Sequence, residues 1–273
     1  MDYKIVNGRV QTRALEYHIV DHCNLRCAQC CSFSPMLKFW QVDPDQFEKD
    51  LIQVGKVVEP SFLKIVGGEP LLHPELPRLL KIAKKTGISK KISVTTNGHL
   101  LTKLADEAWN EFEMLTVSIY PSPPLSKDLL KWIRQKATDH GISVSWKTQD
   151  KFVNLNRSEK ATYEEAKKTF QGCWIHHRCN SVKDGRFYSC TRPQYIQRMA
   201  ANPQTFKEDG IDLHAHNESA LAILIKQHLE SSEPINSCYL CKGGQSTLST
   251  QQQMSPQEIK SQRETILNIC SQI

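Results

Sequence analysis

The 273-residue chain has no stretch approaching the ~20 consecutive apolar residues that span a bilayer, and its first ten residues lack the apolar run and cleavage site of a secretory signal. These absences predict a soluble, cytoplasmic protein with no membrane partner. No internal repeat is visible, and no large charge excess: 35 Lys+Arg against 29 Asp+Glu leave +6, with 39% hydrophobic residues, which excludes disorder as the main state. Cysteine, by contrast, is abundant, at ten residues. An unsecreted chain keeps its thiols reduced, so ten cysteines point to metal or redox chemistry rather than to a disulfide framework.

Between residues 17 and 150, short β-branched runs (17–21, 63–66, 91–96, 115–120, 142–146) alternate with longer amphipathic ones (43–58, 75–86, 102–112, 126–140). Strands separated by helices of this length predict βαβ units and a parallel sheet, either doubly wound or closed into a partial barrel. Asp43-Pro44 supplies a cap and a first-turn proline, while Gly87 and Gly141 sit where helices should stop. Pro121, Pro123 and Pro124 make a loop ahead of a helix starting at Ser126. After residue 150 the rhythm changes to a helix (159–170), a hairpin (181–189) turning at Lys183-Asp184-Gly185-Arg186, and a helix (217–230). A Gln/Ser-rich tail with one weak helical run (257–269) follows. The expected division is a core at 1–155, a smaller cysteine-bearing module at 156–250 and a polar tail at 251–273.

Cys23, Cys27 and Cys30 form C-x3-C-x2-C directly after the first strand, with Cys31 following. Three thiolates from one loop can hold three irons of a cubane and leave the fourth open to a ligand that is not protein. The competing reading, structural zinc, wants four protein ligands. A second motif, Gly67-Gly68-Glu69-Pro70, ends the strand at 63–66, where two glycines let a ligand approach the backbone beside a carboxylate. In this order the two motifs resemble those of the radical S-adenosylmethionine (SAM) superfamily.

That resemblance implies an α/β fold, a partial (β/α)6 barrel, with a [4Fe-4S] cluster on Cys23, Cys27 and Cys30 whose open iron takes the amino and carboxylate groups of SAM. Gly67, Gly68, Glu69 and Pro70 would then contact the methionine amino group at the C-terminal ends of the strands. The family's aromatic residue before the third cysteine, which flanks adenine, is here Gln29, so Phe33 becomes a candidate for that contact. Thr96, Asn97, Ser118, Tyr120 and Lys147 end other strands toward the same mouth, with Ser118 and Lys147 the candidates for ribose or carboxylate contacts.

Cys173 and Cys190 flank the hairpin as C-x11-G-x4-C, and Cys238 and Cys241 add C-x2-C. Four thiolates suffice for a fully ligated cluster, and a zinc hairpin is the alternative. The arrangement resembles the twitch-type auxiliary-cluster domain of radical SAM dehydrogenases. The further C-x5-C-x3-C run of the larger SPASM version is missing, so one auxiliary [4Fe-4S] cluster is expected. Cys179, His176 and His177 stand nearby as substitute ligands, while Cys31, Cys179 and Cys270 are left over as thiols. With both clusters bound the net charge would fall to about +3. The basic run Lys81, Lys84, Lys85, Lys90 and Lys91 falls at a helix end opposite the mouth, so nucleic acid is not the expected partner.

The resemblance implies reductive cleavage of SAM and hydrogen abstraction from a small-molecule substrate, with an electron donor such as flavodoxin or ferredoxin. Length and layout most resemble the 2-deoxy-scyllo-inosamine dehydrogenase-like enzymes, which makes a polyol or amino-sugar, oxidised or epimerised, the first expectation. Cys179 is the candidate hydrogen donor, and His22, Tyr120 and Lys147 are the candidate bases. A peptide-modifying maturase is a second reading, although only 22 residues precede Cys23. Modification of a nucleic-acid base is a third, and a zinc-binding interaction module without catalysis a fourth.

Overall fold

The structure is a computed structural model that describes residues 3–176, 178–200 and 202–272. Five strands, β1 (Leu15–His18), β2 (Leu63–Val66), β3 (Ile92–Thr96), β4 (Met114–Ile119) and β5 (Ser143–Thr148), lie side by side and parallel in chain order. The expected α/β fold with a parallel sheet is what the chain adopts. Three helices cross between strands: α1 (Pro44–Gly55), α2 (Leu76–Thr86) and α3 (Lys127–Asp139). The Asp43 carboxylate caps α1, accepting from the Asp45 and Gln46 amides, and α2 stops at Gly87 with φ 64°.

Alternation along the strands sorts the side chains. Leu15 and Tyr17 of β1, Leu63 and Ile65 of β2, and Ile92 and Val94 of β3 join the main core, which the helices cover with Phe47, Leu51, Leu79 and Ile133. The other face of β1 carries Glu16 and His18, and β2 carries Lys64 there, so the inner face of the curved sheet is polar.

The segment expected to be a helix at 102–112 is instead two 3-10 turns, Leu101–Lys103 and Asp106–Asn110. Leu104 and Ala105 between them are extended, and this break carries both Leu101 and Trp109 into the core.

The hairpin strands β6 (Ser181–Lys183) and β7 (Arg186–Tyr188) turn at Asp184 and Gly185, both with positive φ. β6 pairs parallel with β1, and β8 (Ile211–Asp212) extends the sheet beyond β7, so one eight-stranded sheet runs through the boundary drawn at residue 155. Helices α4 (Tyr163–Gln171) and α5 (Glu218–Glu230) flank this part, α4 opening with a Thr162/Glu165 capping box. The tail is ordered as well. Ser255 and Glu258 form a second capping box that starts α6 (Pro256–Cys270), and Ile266, Ile269 and Cys270 pack in a separate core with Phe33, Tyr195 and Phe206.

A buried ionic node ties the hairpin to the first strand. Lys183 and Asp21 are both fully buried and 2.5 Å apart, Arg198 meets the other oxygen of Asp21 at 2.5 Å, and the Lys183 ammonium lies 3.6 Å from the Trp40 ring centre. Removing one partner of such a group strands the rest without water. Asp21→Asn, which leaves Lys183 beside Arg198 with no paired carboxylate, is therefore expected to destabilise the ligand-free protein by about 3–5 kcal/mol in urea unfolding. A loss below about 1 kcal/mol would show that this node does not hold the hairpin to the strand.

Candidate active site

The first cysteine loop leaves β1 through Val20-Asp21-His22 and runs against the Gly67-Gly68 turn at the end of β2. The Gly68 amide donates to the Val20 carbonyl at 2.8 Å and the Glu69 amide to the His22 carbonyl at 3.0 Å. A Cβ on Gly68 would stand 2.1 Å from the His22 oxygen, and one on Gly67 2.6 Å from the Val20 oxygen. The sequence suggested that these glycines make room for a ligand. In the structure their bare faces make room first for the chain that carries the cysteines.

Glu69 is 1% exposed. Its carboxylate accepts from Thr96 Oγ1 (2.6 Å), the Asn97 amide (2.8 Å) and the Leu71 amide (3.1 Å), and among the described residues no cationic side chain pairs with it. Thr96 thus positions Glu69, and Asn97 turns its side-chain amide to Asn24 Oδ1 (2.8 Å) and toward Cys23 Sγ (3.8 Å). Pro70 opens the 3-10 turn that Glu69 caps. A buried carboxyl without a cationic partner among the described residues therefore stands where a ligand's amino group would find an acceptor.

Cys23, Cys27 and Cys30 line one cavity of about 220 Å³ together with Gly67, Gly68 and Glu69, and Ser118 and Tyr120 close its far side. N–H groups surround the sulfurs: the Leu25 amide reaches Cys23 Sγ at 3.3 Å, and the Ser32 and Ser34 amides face Cys30. Burial nevertheless pushes the Cys23 thiol up to about 12 and raises that of Cys30, so these sulfurs need a bound cation to be thiolates at neutral pH. This donor set fits an iron–sulfur cluster. Among the described residues no three Cys, His, Asp or Glu side chains close on a single metal ion, and the cysteines stand instead around open space.

A second cavity of about 290 Å³ shares the walls Cys31, Tyr120 and Phe152 with the first and ends at Trp174, Ile175 and Cys179. Beyond Ile175, Cys173, Cys190, Cys238 and Cys241 line a third, small cavity. Their sulfurs too face backbone N–H groups: Gly244 to Cys173 (3.2 Å), Gly243 to Cys241 (3.4 Å) and Arg192 to Cys190 (3.5 Å). His176 lines this cavity, Cys179 does not, and His177 lies outside the described residues.

Two expected contacts are corrected. The His22 ring turns away from the cavity, stacking on Phe39 at 4.3 Å with Nδ1 toward the Trp40 carbonyl. Phe33 is sealed in the tail's core under the Arg192 guanidinium at 4.1 Å, so it offers no face to a ligand in the cysteine cavity. Tyr120 stays, stacked on Phe152 at 5.9 Å, but burial, followed by the charge of Cys27, drives its phenol well up, which suits a hydrogen-bond donor and not a base. Lys147 lies on β5 beside Ser118 of β4, its ammonium lowered by burial and then by Lys64. Cys179 is driven up by burial and then by Glu16, so it is a protonated thiol.

Sequence reasoning missed Glu16 and His18, which line the first cavity from below. Lys64 bonds one Glu16 oxygen at 2.9 Å and His18 Nε2 faces the other at 3.3 Å, while His18 Nδ1 meets the Tyr195 hydroxyl. Burial alone would raise Glu16, but His18 and Lys64 outweigh it and the carboxyl lies below its ordinary value. The signal was the alternation Leu15-Glu16-Tyr17-His18, apolar toward the helices and polar toward the cavity.

Burial pushes Glu69 from 4.5 up to about 7, its three hydrogen bonds offsetting this only in part. A folded value above the unfolded one means a contribution to stability fully present below pH 4.5 and lost as pH rises through 7. The ligand-free protein is expected to lose about 3 kcal/mol from this group between pH 4.5 and 8. Urea unfolding across that range should show the loss in wild type and not in Glu69→Gln; equal slopes would place the titration elsewhere.

The Radical SAM superfamily model matches residues 17–171. The GTP 3′,8-cyclase of Chlorobaculum tepidum is 36% identical over 88 residues, 32% of this chain and 26% of that protein. That of Lactiplantibacillus plantarum is 29% identical over 144 residues, 50% and 43% of the two chains. The S-adenosylmethionine-dependent nucleotide dehydratase of Lacinutrix mariniflava is 35% identical over 104 residues, 37% and 21%. The chain therefore spans less than half the length of these relatives. Among solved structures, BtrN in complex with AdoMet and 2-DOIA superposes with a TM-score of 0.53 over 90% of this chain and 96% of that one, at 14% identity, which is a likeness of fold. With the cysteine loop, the Gly-Gly-Glu-Pro turn and strands β2 to β5 inside the matched residues, the chain belongs to the radical SAM superfamily.

Proposed function

We propose that this protein binds a [4Fe-4S] cluster on Cys23, Cys27 and Cys30, holds SAM beside it, and uses it to abstract a hydrogen atom from a small polar substrate, most in keeping with a polyol or amino-sugar that is oxidised or epimerised. When bound, the groups would supply one-electron chemistry for SAM cleavage and hydrogen abstraction, with Cys23, Cys27 and Cys30 as the residues that would hold the SAM-facing cluster and Cys173, Cys190, Cys238 and Cys241 as those that would hold an auxiliary, electron-accepting one. The observation that carries the reading is the joining of the cysteine loop and the unpaired Glu69 carboxylate on one cavity at the C-terminal ends of the strands.

The chain's own groups divide the work. Glu69 accepts an N–H from the methionine amino group, and Gly67 and Gly68 set the distance between that carboxylate and the cysteines. The aromatic wall of Tyr120 and Phe152 takes the place of the flanking residue missing at Gln29, with Ser118 toward the ribose. Glu16, kept ionised by Lys64 and His18, offers a carboxylate to substrate hydroxyl or amino groups. Lys147 takes a hydroxyl proton in the oxidative direction; in the epimerising one the protonated Cys179 thiol gives a hydrogen atom to the substrate radical, and the thiyl radical left behind is returned to thiol by one electron from the external donor and one proton from water. The stepwise row of cavities, from the three-cysteine loop past Cys179 to the four-cysteine set, favours the oxidative form with a flavodoxin- or ferredoxin-type donor.

A nucleotide substrate is the second reading. It is favoured by the activities for which the GTP 3′,8-cyclase and nucleotide dehydratase relatives are named and by the two ammonium groups, Lys64 and Lys147, that interact near Glu16.

Anaerobic reconstitution should give about eight irons and eight sulfides per chain, and about four in a Cys23/Cys27/Cys30→Ala triple variant. 5′-Deoxyadenosine should be released from SAM with dithionite only by the wild type. About four irons in the wild type would remove the auxiliary cluster and with it the oxidative reading. No iron and no SAM cleavage would overturn the proposal.

A further inference from the structure

The polar tail does not trail away from the cysteine loop; it is laid across it. The Ala28 amide donates to the Gln252 carbonyl (2.9 Å) and the Met254 amide to the Arg26 carbonyl (2.8 Å), so Gln253 is bridged antiparallel to Cys27. From this strap two side-chain amides converge on one sulfur. Gln253 Nε2 lies 3.2 Å from Cys27 Sγ and Gln251 Nε2 3.5 Å.

The orientation of both amides is fixed by their other ends. Gln253 Oε1 accepts from the Arg26 amide at 2.6 Å, and Gln251 Oε1 accepts from the Ser122 amide at 3.2 Å. A backbone N–H must meet an oxygen, so each NH2 is left pointing at the sulfur. The second hydrogen of each NH2 goes to the Ser122 carbonyl, at 2.8 Å from Gln251 and 2.9 Å from Gln253. Gln251 is 4% exposed. Each amide is thus saturated, with one hydrogen committed to Cys27.

We infer that Gln251 and Gln253 are positioning residues that set the reduction potential of the cluster bound through Cys27. The inference rests on the reading of Cys27 as a cluster ligand. One-electron reduction of the cluster by an external donor makes no bond and breaks none; it adds one negative charge, part of which falls on the thiolate sulfurs. N–H donors at the sulfur favour the more negative state, and a strap that covers the loop keeps water from taking their place. Two donors on one ligand of three bias the cluster toward reduction, the step on which cleavage of SAM depends.

The test is an EPR-monitored redox titration of the anaerobically reconstituted full chain, with iron and sulfide counted in every sample. Gln253→Met keeps the side chain's length and removes the donor; Gln253→Glu keeps its shape and puts negative charge at the sulfur. The expected order of potentials is wild type above Gln253→Met above Gln253→Glu. The first step should be about a tenfold shift in the reduction equilibrium, 59 mV for a one-electron couple. A purely structural strap would lower cluster content in both variants alike and leave the potential of the loaded fraction where it was. Equal potentials in loaded wild type and variants would overturn the inference while leaving the cluster reading intact, whereas failure of the wild type to bind iron and sulfide would overturn that reading first. If Gln253→Met does not load, Gln251→Met, whose donor is the longer one, carries the same comparison: a lowered potential supports the inference and an unchanged one overturns it.

Discussion

The cysteine cavity at the strand ends depends on one close approach of two backbones. Gly68 lies so near the His22 carbonyl that no side chain fits between them, and the amides of Gly68 and Glu69 are used up in holding Val20 and His22. The direction in which the chain enters the cysteine loop is therefore dictated by the end of β2, and the same turn delivers Glu69. The Asn97 side chain closes the arrangement by reaching from the end of β3 to Asn24 and Cys23. Sulfur ligands and a buried carboxylate are placed relative to each other by main-chain hydrogen bonds rather than by flexible side chains, which is the precision a radical reaction needs of its binding site.

The second half of the chain is tied to this cavity rather than appended to it. β6 continues the sheet beside β1, Lys183 at its end pairs with Asp21 just ahead of the cysteine loop, and Arg192 acts from both ends. Its backbone amide faces Cys190, while its guanidinium donates to the Cys31 carbonyl at 3.2 Å and to Asn156 at 2.7 Å. One buried arginine therefore joins Cys190 of the four-cysteine set to the end of the first cysteine loop at Cys31. The tail completes the enclosure through Gln251 and Gln253, so the cysteine loop is gripped by segments more than 220 residues away in sequence.

The strands of the core were legible because each alternates cleanly and each is bounded by a turn residue, as was the pairing of cysteines with Gly-Gly-Glu-Pro. The segment after β3 was misread because its apolar spacing suits a helix, while Leu104 and Ala105 take extended backbone that the pattern does not register. Phe33 and His22 were misplaced for a common reason. Position next to a motif says nothing of which side of the loop a ring takes, and Phe33 is drawn under Arg192 while His22 goes to Phe39. The polar face of the sheet is written in the alternation of Glu16 and His18, although the pattern does not say which face lines a cavity. The tail's role could not be read, since two glutamines acquire meaning only when folding brings them to Cys27.

The central claim is that Glu69 and the three-cysteine loop hold one ligand between them, its amino group bound as the free amine to the open iron and donating an N–H to the Glu69 carboxylate. Electron–nuclear double resonance on the reduced, reconstituted protein with SAM labelled by 15N at the amino group and 17O at the carboxylate tests it directly. The account predicts hyperfine coupling of both labels to the cluster in wild type, with the nitrogen coupling weakened or lost in Glu69→Gln. A cluster that binds SAM with no coupling to either label, or with couplings indifferent to Glu69, would contradict it.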